Sequence, residues 1–284
     1  MPTPDGAEHS DPGSGHSMGT RVVLPGDPDW DRVRGTFNLC DDLRPEAIAL
    51  PTDEREVAAA VSYARERGLA VAIQATGHNA APHGPLAGHL LINISQLNDV
   101  SIDAGNRRVR VGGGVKWEAV TARLSELGLA ALHGSSPDVG IAGYSTGGGI
   151  GWLARRHGLQ ANSVTAFDVV TAQGHLVRTD ATHEPELFWA LRGGNGNFGV
   201  VTAVEFTVYP VRELYAGALF FPVERMTDVL HAWTRLLPEL PEELTSWAVA
   251  LHFPPAPDLP EPLRGRSYVI VMAAHLGTED HGRE

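Results

Sequence analysis

The sequence is short of thiols, of long apolar runs and of positive charge, and each shortage removes a class of function. One cysteine, Cys40, in 284 residues excludes an internal disulfide and gives no thiol cluster for zinc, a pattern that suits a reducing cytoplasm. No run reaches the ~18 consecutive apolar residues that span a bilayer. The opening MPTPDGAEHSDPGSGHS has neither the basic nor the apolar region of a secretory signal. A formal net charge of -12 is the wrong sign for nucleic acid or anionic lipid, because neutralising phosphates takes clustered Lys and Arg. The expected partners are small molecules.

What is present suffices for an enzyme-sized core: 43% hydrophobic content over 284 residues buries one large core or two unequal ones. Residues 1–20 are polar, rich in Gly, Pro and Ser, and read as a disordered tail. From residue 47 an apolar stretch (AIALP), a helix (TDEREVAAAVSYARERG) and a second apolar stretch (LAVAIQA) form a βαβ pattern. Thr52 or Asp53 caps that helix, Val57, Val61 and Ala64 share a face, and Gly68 ends it. LLINI, VSID and RVRVG read as strands, the last two joined at a tight turn around Gly105-Asn106. A helix follows from Lys116 with Trp117, Val120, Leu124 and Leu127 on one stripe. Residues 163–180 read as a hairpin turning at Gln173-Gly174, 185–191 as a short helix carrying the core pair Phe188 and Trp189, and 200–209 as a strand. This alternation predicts an α+β fold. Beyond Pro210 the pattern restarts with strands over 215–221, 245–253 and 268–276 and a helix over 224–237. The final strand leads straight into a polar tail, so the sequence predicts an unprotected sheet edge there and a chain that is poorly soluble or oligomeric.

Two glycine-containing loops carry the chemistry: QATGHNAAPHG over 74–84 and GSSPDVGIAGYSTGGGIG over 134–151. Without Cβ atoms, backbone N–H groups approach a ligand closely and form concave anion sites. Together the loops read as two walls of a cofactor cleft. Within the second, GIGWLA partly matches a dinucleotide fingerprint, with Asp168 near the spacing of a ribose-binding acid. GYSTGG stands where a strand should, so a nicotinamide-dependent reading is a minor alternative. Arg155 and Arg156 read as solvent-facing or paired with acids.

Four segments in order, RPEAIALPTDEREVAAAV, TGH, GSSPDVGIAGYSTGGGIGWLARRHGL and LFWALRGGNGNFGVVTAVEF, resemble the FAD-binding domain of the vanillyl-alcohol oxidase superfamily, especially its berberine bridge enzyme-like branch. The resemblance covers residues 44–210 and continues more weakly after them. It implies a two-subdomain PCMH-type FAD-binding domain over 44–210, followed by part of an α+β substrate domain over 211–284.

By this resemblance Gln74, Ala75, Thr76, Gly77, His78 and Asn79 wrap the FAD pyrophosphate, and His78 bonds to the flavin 8α carbon. A neutral imidazole nitrogen is a competent nucleophile for that bond. The second loop contributes Gly134, Ser135, Ser136, Pro137, Val139, Gly140, Gly143, Tyr144, Gly147, Gly148 and Gly149, and the last segment contributes Gly199 and Val201. Many members of the branch make a second flavin bond through a cysteine where this chain has Ser136. A hydroxyl is a far poorer nucleophile than a thiolate, so one histidyl link is expected. Val139 stands where the family controls oxygen access. The implied function is an FAD-dependent oxidoreductase moving a hydride from an alcohol or amine carbon to flavin N5, with molecular oxygen as acceptor. The alternative is a flavin-binding module without catalysis. No residue presents itself as a catalytic base, and no metal site is expected. Members of the family run longer, so the sequence reads as C-terminally truncated, with a complementing chain or homo-oligomer as an expected partner.

Overall fold

A computed structural model describes residues 19–283; the tail expectation for residues 1–18 lies outside them. The first layer is a four-stranded sheet of order β1-β2-β4-β3, built from β1 (Arg21–Val23), β2 (Ala47–Leu50), β3 (Ala70–Gln74) and β4 (His89–Asn93). The helices α1 (Trp30–Arg34) and α2 (Glu54–Glu66) lie among these strands in the chain. β4 inserts between β2 and β3, pairing Ile48 with Leu91 and Ile73 with Ile92 in parallel. The βαβ strands read from the sequence are therefore not neighbours. Because side chains alternate across a strand, Ala47, Ala49, Leu90 and Ile92 face α2, while Ile48, Leu50 and Leu91 face Val33, Leu43 and Leu86. Helix α2 starts where Asp53 accepts from the amides of Arg55 and Glu56 at 2.8 and 2.9 Å, and Glu56 reaches back to the Thr52 amide at 2.8 Å.

The second layer is an antiparallel sheet of order β5-β6-β10-β8-β9. Its strands β5 (Val100–Asp103) and β6 (Arg108–Gly112) are followed by α3 (Glu118–Glu126) and β7 (Leu129–Ala130). Next come α4 (Ile141–Thr146), α5 (Ala154–His157) and α6 (Gln160–Ser163), then β8 (Val164–Val170) and β9 (Leu176–Asp180). After α7 (Pro185–Leu191), β10 (Val200–Thr207) enters the sheet and β11 (Tyr209–Pro210) pairs with β7. Trp117, Val120, Leu124, Phe167, Leu191, Val204 and Phe206 form the core on one face. The other face carries a ladder of opposite charges. Arg110 and Arg178 bracket Asp168, and Arg108 and Arg178 bracket Glu205 at 3.5 and 3.1 Å. Asp168 is thus neutralised across strands, which removes the acid from the nicotinamide reading.

The third layer is an antiparallel sheet of order β12-β14-β13, made of β12 (Leu214–Pro222), β13 (Leu244–His252) and β14 (Ser267–Leu276). Trp233 of α8 (Met226–Leu236) donates to Ser246 at 3.0 Å, and α9 (Glu279–Arg283) follows β14. The strand expected to be an unprotected edge, β14, is the central one, with Val269, Ile270 and Ala274 buried. Exposed apolar side chains sit instead on the outer strands, at Leu214, Leu219 and Phe220 of β12 and Leu251 of β13. Two further expectations are corrected: Trp189 is 72% exposed rather than core, and the α3 stripe stops at Leu124, leaving Leu127 half-exposed. Leu127 is the C-cap beyond the last turn of α3, and Trp189 lies off the face of α7 that Phe188 and Leu191 bury.

The layers meet through backbone. At Gly112, Gly113 and Gly114 an added Cβ would lie 2.3, 2.4 and 2.3 Å from the carbonyl oxygens of Leu97, Val201 and Ile94. Arg155 joins the third layer, donating to the carbonyls of Leu237, Leu240 and Pro241 at 3.2, 2.7 and 3.0 Å, while Arg156 pairs with Glu242 at 2.8 Å. Arg156 thus pairs with an acid and Arg155 is solvent-facing, the two alternatives expected, although Arg155 also spends its donors on carbonyls.

Gly114→Ala is expected to lower unfolding free energy by roughly 2 kcal/mol, as overpacking against rigid backbone does, whereas Gly143→Ala, whose Cβ meets nothing within 4 Å, leaves urea unfolding unchanged or slightly stabilised. Arg155→Ala is expected to raise protease sensitivity within residues 211–284, and Arg155→Lys to restore little, because one ammonium does not replace a fork of donors; limited proteolysis followed by mass spectrometry reads both.

Candidate functional site

The site forms where β3 ends. Gln74 is buried, and its Nε2 donates to the Gly35 carbonyl at 2.7 Å, so that side chain anchors the loop to its own fold. Gly77 adopts φ +73°, and a Cβ there would lie 2.9 Å from the Cα of Thr36. Only glycine lets the loop turn against that segment. The turn presents Ala75, Thr76 and His78 to a cavity of about 520 Å³, and leaves Asn79 exposed.

The opposite wall includes Asp138, carried on the strip 137–141, which is laid against 115–118. Trp117 and Glu118 donate their amides to Val139 and Pro137 at 3.1 and 2.8 Å, and Ile141 donates to Val115 at 2.9 Å. Gly140 brings the walls together, since its Cβ position lies 3.6 Å from Ala75 Cβ and Thr76 Cγ2. His78 is held from three sides. Its Nδ1 lies 3.0 Å from the Thr76 hydroxyl, its Nε2 lies 3.6 Å from Asp138 Oδ1, and Phe37 stacks on its face with centroids 4.0 Å apart. At 3.6 Å the Asp138 contact is longer than a hydrogen bond, and Nε2 is a buried nitrogen with no hydrogen-bond partner.

The structure divides the predicted glycines. Gly134 and Gly149 leave room for Tyr144, whose ring atoms a Cβ would meet at 3.1 and 2.5 Å. Tyr144 packs edge-on against Trp117, donates to the Ile150 carbonyl at 2.6 Å, and has its phenol pKa pushed up by burial. A phenol so held serves packing. Gly143 faces open space, Gly147 abuts Gly143 and Asn195, and Gly148 and Gly149 take the left-handed φ values +103° and +70°. The stretch 134–151 is consequently not one continuous cradle, because Ile141–Thr146 is helical. Ser135 and Pro137 are exposed, and Ser136 is half-buried. Gly199 packs on Val169 and Val170, and Val201 lies in the sheet core with Val139 packed against it; neither lines the His78 cavity.

Sequence reasoning missed Phe37, Ser95, Asn98, Lys116, Glu118 and Asp138, which line the same cavity. Lys116, the only lysine of the chain, sits 3.6 Å from Glu118. These residues come from four separate segments that the fold alone unites; the run Gly112-Gly113-Gly114 was the available signal. An orphaned imidazole nitrogen, the left-handed turn at Gly77 and open space above Gly143 fit a flavin. Among the described residues no helix is long and apolar enough to cross a membrane.

Residues 45–180 match the family model described as FAD binding domain. (R)-6-hydroxynicotine oxidase of Paenarthrobacter nicotinovorans is 31% identical over 270 residues, covering 93% of this chain and 56% of that protein. Glucooligosaccharide oxidase of Sarocladium strictum is 34% identical over 188 residues, 65% of this chain and 38% of that protein. Among solved structures, 6-hydroxy-D-nicotine oxidase of Arthrobacter nicotinovorans superposes with a TM-score of 0.83 at 29% identity over 95% of this chain and 58% of its own. A glucooligosaccharide oxidase of Acremonium strictum, described as carrying a 6-S-cysteinyl, 8α-N1-histidyl FAD, gives 0.80 at 26% over 93% of this chain and 54% of its own. The chain thus spans little more than half the length of these structures. With the matched segment at 45–180 and the shared architecture beyond it, the chain belongs to the family of the FAD binding domain.

Proposed function

We infer that the chain binds FAD between the loop 74–79 and the segment 134–149, bonds it once through His78, and works as an FAD-dependent oxidase. The observation that carries this reading is the convergence of both loops on one cavity around an imidazole whose Nε2 has no hydrogen-bond partner, inside the segment that matches the FAD-binding family. The chemistry supplied by bound flavin is the transfer of a hydride from an alcohol or amine carbon to N5, with oxygen as acceptor. The protein's part is orientation. Ala75 and Thr76, which line the cavity, offer backbone beside the phosphates, His78 fixes the ring, and Gly143, outside that lining, leaves open space for the rest of the flavin. Ser136 in place of a thiol supports one covalent link, and Val139, packed against the core, supports an oxygen-permissive site.

The same reading takes 44–210 as the FAD-binding domain and 211–284 as the beginning of a substrate domain, supported by the separate sheet that starts at Leu214. A small alcohol or amine substrate, a complementing chain or second copy, and a cytoplasmic setting complete it. The relatives are named as oxidases of a nicotine derivative and of oligosaccharides, which favours an enzyme over a binding module.

The expected result is that protein purified with FAD stays yellow after acid precipitation and gives a fluorescent band on a denaturing gel. His78→Ala abolishes that band but keeps reversible FAD binding. Complete acid release from wild-type protein that had bound FAD overturns the covalent assignment. Gly143→Ala is expected to weaken FAD binding at least several-fold, measured by flavin fluorescence quenching, while leaving the melting temperature in place; unchanged affinity removes that surface from the site.

A further inference from the structure

We propose that Phe37 is a positioning residue for the covalent attachment of flavin: stacked on the His78 imidazole, it fixes the plane in which that ring meets the 8α carbon. The proposal rests on the flavin reading above and deepens it by naming the residue that aims the nucleophile.

An imidazole nitrogen attacks along its lone pair, which lies in the plane of the ring. A ring that tilts freely therefore spends much of its time aimed away from its target, and restraint of the tilt raises the productive fraction. The Thr76 hydroxyl, 3.0 Å from Nδ1, restrains rotation within the plane, but a single hydrogen bond is a pivot about which the plane still swings. Phe37 supplies the second restraint, with ring centroids 4.0 Å apart and 15° between planes. Because it covers a face and not an edge, it leaves the in-plane approach open.

The stack is built into the backbone. Residues 35–37 engage the loop 74–78 at three successive points. Gln74 Nε2 donates to the Gly35 carbonyl at 2.7 Å, the Cβ position of Gly77 lies 2.9 Å from Thr36 Cα, and the Phe37 ring meets the His78 ring. Thr36 is buried and its hydroxyl donates to the Asn38 carbonyl at 2.6 Å, so the bend that turns Phe37 onto the imidazole is itself pinned. A phenylalanine that only filled the core would be buried. Phe37 is 58% exposed and lines the same cavity as His78. The attachment step loses one hydrogen from the 8α carbon and the imidazole N–H, forms the N–C bond, and passes the two hydrogens with their two electrons to molecular oxygen as hydrogen peroxide. Phe37 exchanges nothing in that step; its part is alignment.

The test uses the full chain, purified from riboflavin-depleted cells. In protein labelled with 13C-histidine, with His78 assigned by the signals lost in His78→Gln, the His78 ring protons are expected upfield, shielded by the Phe37 ring, and back at ordinary positions in Phe37→Leu. Equal shifts in both proteins overturn the stack before any flavin is added. Covalent incorporation is then followed by in-gel fluorescence and intact mass over a range of FAD concentrations, which separates the maximal rate from the half-saturating concentration. Phe37→Ala and Phe37→Leu are expected to lower the maximal rate about fivefold or more at an unchanged half-saturating concentration, the scale of a lost aromatic pair together with looser alignment. Phe37→Tyr and Phe37→Trp should restore most of it, and Leu39→Ala, on the same segment with its side chain 90% exposed, should leave it unchanged. Wild type that incorporates covalently while Phe37→Ala and Phe37→Leu keep its maximal rate sinks the proposal alone. So does an equal loss in Phe37→Tyr, or an effect confined to FAD affinity. Wild type that binds FAD but releases all of it in acid sinks the covalent reading, and this proposal with it. Should Phe37→Ala fail to fold, the Leu and Tyr variants, which fill the same space, still decide.

Discussion

The structure depends on a contact that leaves no room for a Cβ atom: Gly112 and Gly114 lying directly on the carbonyls of Leu97 and Ile94, which follow the first sheet. Two sheets of different type, one mixed with a parallel β2-β4-β3 core and covered on both faces, the other antiparallel with one charged face, have no shared hydrogen-bond ladder. Gly112 donates its amide to Asp99 and Gly114 donates to Leu97, both at 2.9 Å, while Gly113 stays with its own sheet through Thr202 of β10 at 2.8 Å, so the seam is made of backbone rather than of interlocking side chains. This closeness sets the cavity. Ser95 and Asn98 come from one side of the seam, Val115 and Lys116 from the other, and His78 and Asp138 are brought face to face above them.

Elements with strong local signals were legible in the sequence. Asp53 and Gly68 bound α2 because capping is a local matter, and the hairpin at Gln173-Gly174 follows from Gly174 at φ +82°. Strand order was not legible: nothing within β3 or β4 states that β4 enters between β2 and its successor. The sheet beyond residue 210 shows the same limit, since chain order puts β14 last and space puts it in the middle.

The site was legible as loops and not as a cavity. His78 stood out because a motif surrounded it. Asp138 lay unmarked inside a quoted motif, and Phe37 lies 41 positions from His78 in the sequence, a difference of 78 and 37. Glycine density gave a mixed signal. Gly77 is glycine for its φ and for its contact with Thr36, but Gly134 and Gly149 are glycine to accommodate Tyr144. A glycine-rich loop therefore reports close approach without saying whether a ligand or the protein's own ring does the approaching.

The solitary Lys116 gives the chain an unusual handle. Every other basic side chain is Arg or His, and neither reacts as an amine with acylating reagents. Apart from the chain's own α-amino group, a dye, crosslinker or surface tether of that chemistry has one address, a half-exposed ammonium on the wall of the His78 cavity. The chain thereby comes with a built-in point for orienting it on an electrode or for placing a spectroscopic reporter beside the His78 imidazole, with no engineered residue required.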